Sequence, residues 1–526
     1  LARRRSSEPV VLAFVVAHFL VVQYALLQAY GLDPISWGVD TRFVGVQVFS
    51  TLGNGNFSSG YVGLTLPLVV WVAFGSPYPS VVRFFGGAAV GTSVIALTYF
   101  NSFQGQMASM AAAVVLVQWA MARPRKDRLV AALVALPVVG AVVGLPVVLS
   151  APGWPSLLGV VVVCAGCAGS GVVHDRRGMS ATGSGSEEST GGWFWPTTAA
   201  GLVAVGVMGV LFGERIVAEV ASGLEQRTEF WKASLSIFLE SPLTGRGLET
   251  YSAYFTAHRS VDHAVQWESV LTDSPHSVPF GILSGGGLIL ASTYLAVVVV
   301  IGYFGVQAVR KADGPHRLFF GAVLASWIAY HVQASVSMDV PGLIYSQWIL
   351  GGVLVAGGSS ASNTVLVLPW KPRGRRTRSS GGTQGLRRLI TASGLAVAFM
   401  FVLGPLLAPL RANMAVSRAQ AALTASDPRT AEIELARAID LQPRFGYYAE
   451  SMAFLYQQGG FLEAAYSEMD RGARLQPGIP YIALKAARAA VQVDRLDAAE
   501  YWYERALESD PNGVTAITEA AEFFAQ

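Results

Sequence analysis

The sequence predicts an all-α protein in two parts, a polytopic membrane region followed by a C-terminal α-solenoid of paired helices. Three observations carry this. Of 526 residues, 52% are hydrophobic and 13% charged, whereas soluble domains carry about a quarter charged residues. Apolar runs near bilayer length recur through the first 411 residues. Beyond them the chain turns to Ala, Glu, Arg and Leu in a helical rhythm, and Pro443, Pro477 and Pro511 recur every 34 residues. The expected domains are therefore 1–411 and 412–526.

A helix crossing a bilayer needs roughly 20 apolar residues. Such runs lie near 9–29, 59–74, 83–100, 104–121, 128–149, 154–173, 194–213, 281–309, 317–336, 343–358 and 389–409. That predicts eleven spans, of which 59–74 and 343–358 are short. The first run is too long for the apolar region of a cleaved signal and lacks a small-residue cleavage site. The sequence starts at Leu1 rather than Met, so a fragment lacking N-terminal helices is expected. Cys164 and Cys167 sit inside an apolar run with no second Cys/His pair nearby. They read as small packing residues of a membrane helix, and neither a disulfide nor a metal is expected.

Positive charge orients the spans, because cytoplasmic segments retain Lys and Arg. With Arg3, Arg4 and Arg5 inside, alternate segments carry Arg83; Arg123, Arg125, Lys126 and Arg128; Arg176 and Arg177; Arg310, Lys311 and Arg317; and the basic stretch 371–388. Twenty positive residues fall on that side. Through residue 411, seven fall on the other, namely Arg42, Arg215, Arg227, Lys232, Arg246, Arg259 and Arg411. The long 214–280 segment and everything after Arg411 are then extracytoplasmic, in a multi-pass protein of the plasma membrane. The Gly/Ser-rich 178–192 stretch reads as a cytoplasmic linker. The 371–388 stretch reads as topogenic charge or as a contact for anionic lipid. A net charge of +3 gives no reason to expect nucleic acid.

In the C-terminal part, Ala431, Ala465 and Ala499 share the 34-residue interval, as do Ala438, Gly472 and Ala506. Small residues at fixed places let two helices of a hairpin approach closely, and each Pro ends a second helix. This period resembles tetratricopeptide repeats, with about three repeats and without their usual Trp and Gly. Such a surface binds a protein partner or packs on its own membrane domain, and it holds no candidate base.

The chemistry must therefore come from elsewhere. Buried charge, which an ion-coupled transporter would show, is nearly absent from the spans. His18 and His331 are their main polar side chains and read as hydrogen-bonded packing residues. Two extracytoplasmic segments concentrate polar groups. In 30–60, Arg42 precedes Gly53-Asn54-Gly55-Asn56, which leads into a span. That turn is either a plain helix start or a cradle of N–H groups for an anion. In 214–280 stand Arg227, Trp231, Lys232, Arg246, Glu249, Tyr251 and Tyr254, then His258, His263 and His276. His276 follows Pro275 and directly precedes a span, where an imidazole can take a hydroxyl proton near neutral pH. His258 and His263 are expected in a solvated mid-segment stretch. Arginines hold a diphosphate through forked, charge-assisted bonds, and Tyr hydroxyls suit sugars. No Asp-x-Asp pair suggests a metal-bound nucleotide sugar.

Three stretches then resemble the O-antigen ligase and polymerase superfamily. LDP…RFV…STLGNGNFSSGYVGLTLPL is similar to its R-x-x-G-T-x-G-N-P-N-F-x-A-x-Y-L pattern. RTEFWKASLSIFLESPLTGRGLETY is similar to its R-x-x-x-W…P-x-x-G-x-G-x-x-x-F segment, and DSPHSVPFGILSGGG to its His-Asn-x-x-L…G segment. The likeness covers roughly residues 10–358. Departures are Asn54-Gly55-Asn56 for Asn-Pro-Asn, His276-Ser277 for His-Asn, and Phe103-Gln104-Gly105 for Ser-Arg-Gly.

The resemblance implies a membrane glycosyltransferase of the C-type superfamily fold, inverting and metal-independent, with no cofactor. It would move a glycan from an undecaprenyl-diphosphate carrier to an extracytoplasmic hydroxyl of a lipid, another glycan or a protein. It implies Arg42, Asn54, Asn56, Arg227 and Arg246 at the donor diphosphate and His276 as the base. Glu249 and Tyr251 are weaker expectations for sugar or acceptor contacts. The rival from the residues alone is a non-enzymatic scaffold or exporter component in polysaccharide assembly.

Overall fold

The computed structural model describes residues 7–35, 48–100, 102, 104–109, 111, 115, 224–359 and 407–526. Among these the fold is all-helical, with no strand. The expected spans at 128–149, 154–173 and 194–213, most of 104–121 and 389–409, Arg42, the two cysteines, the linker and the basic stretch all lie outside the described residues.

Two compact units divide the chain. The first holds α1 (Glu8–Ala29), α2 (Gly55–Val70, prolonged by a π-helical turn Trp71–Gly75) and α3 (Ser80–Phe100). It also holds the start of α4 (224–240), then α7 (Val278–Lys311), α8 (Gly314–Ala334) and α9 (Pro341–Gly358). Four of its helices, Glu8–Ala29, Gly55–Gly75, Val81–Phe100 and Val278–Lys311, are long and apolar enough to cross a membrane. α8 and α9 fall on two further predicted runs but are not among those four. α8 carries His316, Arg317, His331 and Gln333, and the 18 residues of α9 reach about 27 Å, short of a hydrocarbon core of about 30 Å.

α2 is the core of this unit. Its apolar window is 94% buried, against 11% for α7. Leu64, Leu66 and Leu68 pack there with Phe74, Leu343 and Leu350. Small residues permit the closeness: a Cβ on Gly63 would lie 2.4 Å from the Gly105 carbonyl oxygen. Some polar side chains inside the bundle find one another, although the fully buried Gln333 pairs neither of its amide atoms among the described residues. His18 Nδ1 lies 2.7 Å from Thr65 Oγ1 and His18 Nε2 lies 2.7 Å from Ser93 Oγ, joining α1, α2 and α3. Arg83 is buried and donates to the Ala73 and Phe74 carbonyls at the end of the π-helical turn, where a cation is favoured. α7 instead exposes Leu288, Ile289, Leu295, Val299 and Val300, an apolar face suited to lipid rather than water.

The second unit contains the end of α4, α5 (Tyr251–His258), α6 (Val261–Gln266) and the C-terminal helices. These are α10 (407–424), α11 (Pro428–Leu441), α12 (Gly446–Gln458), α13 (Leu462–Leu475), α14 (Pro480–Gln492), α15 (Leu496–Ser509) and α16 (Val514–Phe524). α11, α13 and α15 end 34 residues apart, each followed by a cap residue and then Pro443, Pro477 or Pro511. The small residues of that period lie at the helix seams. Ala431, Ala438, Ala499 and Ala506 are fully buried, and a Cβ on Gly446 would come 2.6 Å from the Gly472 carbonyl oxygen.

Candidate functional site

The expected base, His276, lies at the entry to α7. Pro275 and Ser277 on either side are buried, and His276 is half-buried. Its backbone is left-handed, with φ +50°. The Nδ1–H donates to the Ser274 carbonyl at 3.1 Å. A carbonyl can only accept, so in the neutral ring Nδ1 carries the proton and Nε2 carries the basic lone pair. The ring packs on Phe230, with centroids 5.4 Å apart, while Trp231 stacks on Phe280 at 5.5 Å. This aromatic floor escaped the sequence reading; the adjacent Phe230-Trp231 pair was its signal.

Arg227 lies one helical turn before Phe230 and Trp231 on α4, hence on the same face. Its guanidinium is largely buried, which pulls its pKa below the ordinary arginine value.

Arg246 belongs to a segment, Ser241–Leu248, laid along α7 by main-chain bonds. Arg246 N–H donates to the Ser284 carbonyl and Gly247 N–H to the Gly285 carbonyl, each at 2.9 Å. In return, Leu288 N–H donates to the Pro242 carbonyl at 2.8 Å and Ile289 N–H to the Leu243 carbonyl at 3.2 Å. These bonds break the helix the sequence predicts as continuous: Gly287 takes φ +60° and ψ −165°. Glycines on both segments make the approach possible. A Cβ on Gly245 would sit 2.4 Å from the Gly285 carbonyl carbon, and one on Gly287 2.4 Å from that of Leu243. The Gly-rich signatures around Arg246 and at Gly285-Gly286-Gly287 are therefore two halves of one joint. The Arg246 side chain is exposed.

At the other expected donor element, Gly53 takes φ +72° and Asn54 is the N-cap of α2, its Oδ1 accepting from the Asn56 N–H at 2.8 Å. Both asparagines are exposed. Gln104 is buried beside the Ser59–Gly105 contact.

Glu249 and Tyr251 belong to the second unit. Glu249 is exposed with φ +59°. Tyr251 is buried against Phe255, with ring centroids 5.6 Å apart, and burial pushes its hydroxyl pKa up.

The expectation that His258 and His263 are solvated is corrected. His263 is fully buried between Phe255 and Trp267. His258 Nε2 lies 2.9 Å from Glu240 Oε1, and its Nδ1 lies 2.7 Å from the Tyr254 carbonyl oxygen. Short helices α5 and α6 fold this stretch into a small core, which an alternation-free sequence did not reveal.

Among the described residues, no group of three His, Cys, Asp or Glu side chains is placed to hold a metal ion. Compared with models of known protein families, the chain matches none, and no curated protein sequence matches it.

Proposed function

We propose that this chain is a multi-pass membrane glycosyltransferase of the O-antigen ligase and polymerase type, with eleven spans and a tetratricopeptide-like α-solenoid on the extracytoplasmic side. It moves a glycan from an undecaprenyl-diphosphate carrier to a hydroxyl of a lipid, a glycan or a protein. The observation that carries the reading is His276: an imidazole whose Nδ1–H is committed to a backbone carbonyl, half-buried on an aromatic floor. It stands two residues before a helix whose apolar face suits a lipid chain.

In this reading the acceptor hydroxyl gives its proton to Nε2 of His276 as its oxygen attacks the anomeric carbon. The bond from that carbon to the diphosphate oxygen breaks, the electron pair leaves with undecaprenyl diphosphate, and the anomeric configuration inverts. Arg227 and Arg246 hold the diphosphate, joined by Arg42 and the Asn54/Asn56 turn. The solenoid contributes to choosing the acceptor.

A scaffold is the second reading. The observation favouring it is that Asn54, Gly245 and Gly247 each have a structural task already, as a helix cap and as a backbone joint. Mass analysis of lipid-linked and protein-linked glycans in a deletion strain separates the two. Complementation with wild type should clear accumulated lipid-linked glycan, and His276→Ala should not. Equal clearance by both makes the chain a scaffold.

A further inference from the structure

Arg259 lies between α5 and α6 and Asp510 caps the end of α15, 251 residues away along the chain. Both are almost fully buried. Arg259 Nε donates to Asp510 Oδ1 at 2.9 Å, and Nη2 donates to Oδ2. The third guanidinium nitrogen, Nη1, donates to the Glu268 carbonyl at 3.0 Å. Around this fork, Asn512 Nδ2 donates to the Arg259 carbonyl at 2.9 Å, and the Glu268 carboxylate accepts from the Thr515 N–H at the start of α16. Gly478 lies so close to α5 that a Cβ there would come 2.6 Å from the Ala253 carbonyl oxygen. Burial pushes the Asp510 carboxyl pKa up, and the bond from Arg259 only partly offsets this. A pair this costly to desolvate adds little net stability. What its two-pronged geometry does supply is a single orientation.

We propose that the C-terminal helices are the platform that holds the 249–273 segment, with Arg259 and Asp510 as the positioning pair. Both regions then lie on one face of the membrane, because segments in direct contact cannot be separated by a hydrocarbon layer of about 30 Å. The chain must accordingly cross an even number of times between Asp273 and Arg411. The four apolar runs at 281–309, 317–336, 343–358 and 389–409 satisfy this parity, and the three described helices α7, α8 and α9 alone would not. None of this depends on the transfer chemistry.

The test uses the full chain in its native membrane, with Cys164→Ser and Cys167→Ser as background. Asp262→Cys and Gln458→Cys, made singly at exposed positions, should react with an impermeant maleimide from the same side. Reaction from opposite sides overturns the proposal. Hydrogen exchange then tests the pair. Arg259→Ala or Asp510→Ala should speed exchange across 251–266 by roughly 100-fold, the order expected for a broken buried ion pair. The exchanged pair, Arg259→Asp with Asp510→Arg, should recover most of the protection. Unchanged exchange in the single variants, or a double variant no better than either, removes the positioning role.

Discussion

Two turns in the first unit lead a chain into a long apolar helix, and they are built differently. At Gly53-Asn54-Gly55-Asn56 the left-handed residue is a glycine and the cap is an asparagine that bonds its own helix. From Gly53 to Asn56 each residue type suits its task, and the left-handed non-glycine of this entry, Ser50 at φ +53°, lies before the turn. At Pro275-His276-Ser277 the left-handed residue is His276, a conformation that costs a side-chain-bearing residue about 1–2 kcal/mol. Ser277 caps nothing with its side chain, and its buried Oγ has no hydrogen-bond partner. The first turn is what stability alone would select. The second holds an imidazole in an unfavourable backbone, and such strain concentrates at functional positions. Under the proposed function, the difference moves the weight of the donor and base chemistry toward the α7 entry and away from the α2 entry.

Five substitutions break or sharpen that contrast. His276→Ala should lower in vitro transfer from a purified lipid-diphosphate glycan by about 10²–10⁴-fold, with the melting temperature unchanged. A folded variant transferring at the wild-type rate would remove the base assignment. Gly245→Ala should cost about 2–4 kcal/mol in chemical denaturation, since it combines a left-handed φ with a backbone clash. Gly53→Ala, with nothing within 4 Å of the added Cβ, sharpens the comparison because it should show only the backbone penalty of about 1–2 kcal/mol. Arg246→Lys keeps the charge and loses the planar fork, so donor affinity should weaken by about tenfold. Unaltered affinity would mean that a diffuse positive field suffices there. Asn54→Ala should cost about 1 kcal/mol, the loss of one helix cap, and lower transfer per folded molecule only modestly, because Arg227 and Arg246 carry the main grip on the diphosphate. A large fall in transfer would move that main grip to the α2 entry.

What the sequence made legible follows from the range of the forces involved. Apolar runs and the 34-residue rhythm are local signals. They placed α1, α2, α3 and α7 and the ends of α11, α13 and α15 to within a few residues. The break at Gly287 was hidden because α7 looks uniformly apolar. It comes from four hydrogen bonds to a segment some 40 residues earlier. The burial of His263 was hidden because α5 and α6 are too short to carry a periodic pattern. Arg259 read as one more charge in the count, and nothing near it announces a partner at Asp510. For the site, the sequence singled out His276, Arg227 and Arg246 as residues, but not the aromatic floor of Phe230, Trp231 and Phe280 or the glycine joint that carries Arg246.

The histidine clasp between α1, α2 and α3 bears on how the protein is made. A ribosome delivers His18 first, Thr65 second and Ser93 third. Under the proposed membrane reading, the imidazole meanwhile sits in a helix with an 18-residue stretch of mean hydropathy 2.4 and neither hydroxyl yet synthesised, so α1 has reason to linger at the insertion machinery or at the bilayer surface. Thr65 and Ser93 each have a carbonyl of their own helix within reach at Tyr61 and Ala89, so both hydroxyls arrive already satisfied and pose no such difficulty. The histidine alone needs the other two helices. Its pairing would then mark the moment in biogenesis when three separately inserted segments become one bundle.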